Sequence, residues 1–127
     1  METDYRVHGE VPLLLRIGAK SAGLSALHDA HRVDASAFIT ACNPLSQVTA
    51  TDLNAAQQRE LADEIQRRSL VCIGGIGAQP PNQWAPEPSF LVLGLSLEAA
   101  KALGIRFKQN AIVWSGRDAV PQLVLLR

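Results

Sequence analysis

Four prolines fall between positions 80 and 88, at Pro80, Pro81, Pro86 and Pro88. Each lacks the amide donor that a helix or a central strand requires, so neither element is expected to run through that stretch. With Gly74, Gly75 and Gly77 just before them, they predict a long Gly/Pro-rich surface loop over residues 74–88. The rest of the fold has to be assembled from the flanks of that loop. A chain of 127 residues makes one domain, and residues 1–127 are read as a single globular unit.

Before the loop, Tyr5–Val7 and Leu13–Ile17 read as two strands joined by a Gly- and Pro-containing turn. Leu24, Leu27, His28 and His31 then follow the spacing of one helical face. Ala37–Cys42 is an apolar strand that breaks into Asn43, Pro44 and Ser46. A helix from about Leu53 to Arg68 is expected next, capped by Thr51 or Asp52, with Leu53, Ala56, Leu61 and Ile65 as its buried stripe. Leu70–Ile73 is the last strand before the loop. After it come a strand over Ser89–Leu95, a helix over Leu97–Leu103 capped by Ser96 and ended by Gly104, and strands over Ala111–Ser115 and Leu123–Leu126.

The order is ββαβαββαββ. Strand–helix–strand connections favour parallel neighbours and hairpins impose antiparallel ones. The fold class is therefore α/β or α+β, with a mixed sheet of six or seven strands and three covering helices.

Composition excludes several functions. Twelve Lys and Arg balance twelve Asp and Glu, so no long-range positive field gathers phosphates and a nucleic-acid partner is not expected. Arg67 and Arg68 sit where cations offset the carbonyl end of a helix. No run of 18 apolar residues suggests a membrane span. Cys42 and Cys72 lie in apolar strand sequence without a disulfide framework, which predicts two buried free thiols in a reducing cytosol.

Several residues carry possible chemistry. Thr40, Asn43, Ser46 and Asn54, with Gln109 and Asn110, are neutral groups that both donate and accept, placed where strands end. They suit the edge of a small polar ligand, with Trp84 in the loop as a lid. The same residues also suit turns and helix caps, and both readings stand at this level.

Glu87, held between two prolines, is a candidate general acid or base, or else an anchor that fastens the loop. No second acid or His is adjacent to complete a catalytic pair. His28 and His31 share a helix side, but His8, Cys42 and Cys72 offer no spacing that completes a zinc set, so no metal and no cofactor are expected. The two rings are expected instead to extend the Leu24–Leu27 face at a helix C-terminus that stabilises a protonated imidazole. Gly74-Gly75-Ile76-Gly77 lacks the following helix that a phosphate cradle needs.

Phe38-Ile39-Thr40-Ala41-Cys42-Asn43-Pro44, the helix containing Asn54, Glu87-Pro88-Ser89-Phe90-Leu91-Val92 and Phe107-Lys108-Gln109-Asn110-Ala111-Ile112-Val113-Trp114 occur in that order. Together they resemble the bacterial domain of unknown function DUF3293, over about Tyr5 to Arg127. That family commonly carries Trp where Cys42 stands and Gly where Lys108 stands, which implies a differently shaped pocket in this member. The resemblance implies no activity. The expected function is a small-molecule or nucleotide-binding module of the cytoplasm; the alternatives are an enzyme using Glu87 and an interaction or scaffold domain using the apolar C-terminal hairpin edge or the proline-rich loop.

Overall fold

The structure, a computed structural model, describes residues 4–7, 13–41, 50–77 and 87–126. Ten elements follow in the order β1 (Asp4–Val7), β2 (Leu13–Arg16), α1 (Ala22–His31), β3 (Ser36–Ile39), α2 (Thr51–Arg67), β4 (Cys72–Gly77), β5 (Glu87–Leu93), α3 (Leu97–Arg106), β6 (Ala111–Ser115) and β7 (Gln122–Leu125). This is the order read from the sequence. The strands form one sheet, β2-β1-β4-β5-β3-β6-β7.

Among the described residues the sheet is not mixed: all six pairings are antiparallel. The crossovers do join parallel strands, but those strands are not neighbours. β5 lies between β3 and β4, and β3 lies between β5 and β6, so the α2 and α3 connections each skip one strand, while the α1 connection from β2 to β3 passes three. The segment from β3 to β6 is thus a split β-α-β-β-α-β unit, to which the N-terminal hairpin and β7 are added.

Both faces of the sheet are covered, which is why all four residues of β3 are buried. On one face Leu61 and Ile65 of α2 and Ala100 and Leu103 of α3 pack over Ala37, Ile39, Val92 and Ile112. On the other, Leu24 of α1 meets Val7, Leu15, Phe38, Leu91 and Val113. That second face is concave. Tyr5 on β1 stands three strands from Phe38, about 14 Å in a flat sheet, yet their rings meet edge to face at 5.4 Å. The curl also brings the two ends of the sheet together: Gly18 N–H donates to the Pro121 carbonyl at 2.8 Å and Ser21 N–H to Ala119 at 2.9 Å.

The prolines and glycines do not all lie in a loop. Gly74–Gly77 belong to β4, which pairs with β5 on one side and β1 on the other, and Glu87 and Pro88 open β5. Ladders on both sides outweigh the weak strand preference of glycine. The remainder of the expected loop, 78–86, lies outside the described residues. Gly104 does not end α3. The helix runs on to Arg106, and a side chain at 104 would stand 2.8 Å from Ile112 and 2.6 Å from Leu126. The left-handed residue is Lys108, at φ 58.

The start of α2 also differs from expectation. Its N-cap is Ala50, which supplies no side-chain bond, and Asp52 accepts from Leu53 N–H instead. Leu53 is 58% exposed, and Ala56 is exposed as well. The inward line of the helix runs through Asn54, Gln58, Leu61 and Ile65, polar in its first half and apolar in its second. At the far end, Glu64 takes Arg67, Arg68 and Arg106 at 2.6–2.9 Å, joining α2 to α3. These guanidinium bonds hold its carboxyl down at about 2.

Two further expectations are corrected. Cys72 is free but exposed; Cys42 lies outside the described residues. His28 is buried, and its Nε2 meets Ser36 Oγ at 2.8 Å. Burial pushes its imidazole below the ordinary 6.5, and the nearby carboxylates of Asp29 and Asp34 only partly oppose this. The ring is therefore held neutral, because desolvation outweighs the helix C-terminus. A lowered folded-state pKa means that the unfolded chain binds more protons below pH 6.5. Stability is full above 6.5 and falls as pH drops below it, with a slope of at most about 1.4 kcal/mol per pH unit for one proton. Urea unfolding of His28→Gln between pH 7.5 and 5.5 is expected to show a shallower slope than wild type; equal slopes would place the proton uptake elsewhere.

Candidate functional site

The antiparallel register carries several strand ends to one end of the sheet. β3 leaves the ladder at Ile39, opposite Phe90 of β5. On its other side Phe38 pairs with Val113, so the end of β3 also meets the beginning of β6. Thr40 and Ala41, Glu87 and Pro88, and Asn110 ahead of Ala111 consequently share one rim.

Two residues beyond Ile39, the register sets Ala41 opposite Pro88. A strand residue directs its N–H and C=O to the same side, so Pro88 faces β3 with a carbonyl and no donor. The reciprocal pair of bonds cannot form. The side chain of Gln58 fills the gap: its Oε1 accepts from Ala41 N–H at 2.9 Å, and its Nε2 donates to the Pro88 carbonyl at 3.0 Å. Thr40 Oγ1 donates to the same carbonyl at 2.7 Å. Ala41 is fully buried, and a buried N–H without an acceptor is costly, so this carboxamide is held in one orientation by two backbone groups of opposite kind. A helix side chain thus stands between the parting ends of two central strands.

The residues anticipated for a site divide as follows. Thr40 joins the Gln58 set. Asn54 lies one helical turn before Gln58, half-buried on the same inward line. Asn110 is half-buried at the head of β6, where its carbonyl accepts from Leu126 N–H at 2.8 Å. Gln109 is buried, and its Nε2 donates to the Phe107 carbonyl at 3.2 Å, within the turn that follows α3. The backbone of Glu87 pairs with Gly77 at the start of β5. Asn43, Ser46 and Trp84 lie outside the described residues.

Gln58 is the residue that pattern reading missed, because Gln in an amphipathic helix is normally assigned to the solvated side. Its place on the line of Leu61 and Ile65, three and seven residues earlier, was the available signal. Every side chain in the bonded set is neutral, so this set offers hydrogen bonds without a fixed charge. Among the described residues no group of three or more His, Cys, Asp or Glu side chains is arranged to hold a metal ion. No described helix is long and apolar enough to cross a membrane. The thiol of Cys72 is pushed up by desolvation, away from the thiolate that nucleophilic chemistry needs.

A family model, DUF3293, described as a protein of unknown function, matches residues 39–112, more than half of the chain. The matched segment begins in β3 and ends in β6, so it contains Thr40, Gln58, Pro88 and Asn110. No curated protein and no solved structure matches the chain.

Proposed function

Because the chain belongs to the DUF3293 family, whose function is unknown, membership transfers no activity, and we propose from the geometry that the protein binds a small, uncharged polar ligand at the rim formed by β3, β5, β6 and α2. The observation that carries this reading is the Gln58 carboxamide set between Ala41 and Pro88, with Thr40 bonded beside it and Asn54 and Asn110 nearby. Ends of central strands, where side chains leave the sheet, are a common place for such sites. In the sequence, no second acid or His stands adjacent to Glu87 to support catalysis by it.

A thermal-shift screen over neutral metabolites, nucleosides and nucleobases tests the proposal. At 100 times its Kd a ligand adds about 2.7 kcal/mol, which raises the melting temperature by several degrees. Asn110→Ala is expected to weaken that ligand tenfold or more. A silent screen, or a variant that loses stability with unchanged affinity, rejects the reading.

A second reading, protein–protein contact, has one observation in its favour. β7 is a terminal strand of the sheet without a charged residue, and Leu123 and Leu125 on it are 50% and 68% exposed.

A further inference from the structure

Resting on the reading of this rim as a binding site, we infer that its ligand presents a neutral edge with a donor beside an acceptor, as a carboxamide or a nucleobase does, and that this edge competes with Gln58 for Ala41 N–H and the Pro88 carbonyl. The two backbone groups are of opposite kind and are bridged by one planar amide at 2.9 and 3.0 Å. A group that replaces that amide must supply an acceptor and a donor a similar distance apart. A carboxylate or phosphate supplies acceptors only, and would place an anionic oxygen against the Pro88 carbonyl, which already receives the Thr40 hydroxyl at 2.7 Å. A primary amine supplies donors only and leaves the buried Ala41 N–H unpaired. Discrimination of this kind is strong because the wrong ligand strands a buried polar group.

Displacement is geometrically simple. Gln58 lies on the part of α2 that leads to the exposed Leu53, and the side chain has three rotatable bonds to swing it outward. Its bonds to the two strand ends are each replaced in kind by the incoming edge, while its 3.4 Å contact with the Thr40 hydroxyl is given up.

Nitrogen-15 NMR titration of the full chain with uracil, acetamide, acetate and inorganic phosphate tests the inference. Acetamide and acetate have nearly the same shape and differ in the donor. Uracil and acetamide are expected to shift the Ala41 amide and the Gln58 side-chain amide signals saturably, while acetate and phosphate leave them in place. Gln58→Ala, which removes the competitor, is expected to bind uracil at least threefold more tightly. Weaker binding by that variant would make Gln58 a ligand contact and overturn the competition; if the variant does not fold, the Gln58 side-chain signal of the wild type decides. Saturation by acetate or phosphate at Thr40 and Asn110, with the neutral fragments silent, overturns the inference and leaves the rim a site. No saturable shift with these fragments or with any compound of the metabolite panel overturns both.

Discussion

Phe38→Ala is expected to remove about 3–5 kcal/mol of folding stability, the range for deleting a buried aromatic ring. Phe38 is 5% exposed on a central strand and is the point where the concave face closes, since Tyr5 reaches it from three strands away. Its removal takes away packing that Val7, Leu15, Leu24 and Leu91 share, in a core whose shape depends on the sheet staying curled. A domain of this size has about 5–15 kcal/mol in total, so the variant keeps only a fraction of it. Urea unfolding with an unchanged m-value measures the loss directly. Tyr5→Leu is the companion variant: it keeps apolar bulk and removes the edge-to-face pair, worth about 0.5–1.5 kcal/mol, together with the other contacts of the tyrosine. A Phe38→Ala loss below about 1.5 kcal/mol would show that the curl is held elsewhere, with the Gly18–Pro121 and Ser21–Ala119 bonds the next candidates.

The ease with which this fold is read varies along the chain for physical reasons. β6 appears at the residues where its Ile-Val-Trp run predicts it, and α1 begins after Ser21, whose hydroxyl accepts from Leu24 N–H at 3.0 Å. Local chemistry decides such elements. Strand adjacency is not local: the spacing of β3, α2 and β4 gives a crossover between parallel strands, but nothing in those residues announces that β5 will be inserted between them. β4 was obscured for a related reason, because Gly74, Gly75 and Gly77 have little intrinsic preference for a strand and are held in one by partners distant in sequence. The rim combines both situations. Thr40 and Asn110 were recognisable as polar residues at strand ends. Gln58 and Pro88 acquire their roles only from each other, since a proline that cannot complete a ladder matters only once Ala41 stands opposite.

Gln58→Leu is expected to cost about 2 kcal/mol, a larger loss than a half-exposed Gln on a helix would otherwise suggest. The leucine fits the inward line of α2 and gains apolar contact, but the fully buried Ala41 N–H loses its acceptor, and an orphaned buried donor costs about 1–3 kcal/mol. The Pro88 carbonyl loses one donor and retains Thr40. Gln58→Glu separates the two halves of the interaction. Its carboxylate still accepts from Ala41 N–H, but it sets a second oxygen against the Pro88 carbonyl, so the charged form is disfavoured in the folded state and the folded pKa lies above the unfolded one. The folded variant then binds more protons than the unfolded chain, and its stability relative to wild type falls as pH rises through the carboxylate range and recovers on acidification, when the protonated group donates to Pro88 as the amide did. The deficit of Gln58→Glu against wild type should therefore be clearly larger at pH 7 than at pH 4, with the background titration of Glu64 cancelling in the difference. A deficit that does not change with pH would mean that the Pro88 half of the bridge contributes nothing, and that Gln58 acts only as an acceptor for the end of β3.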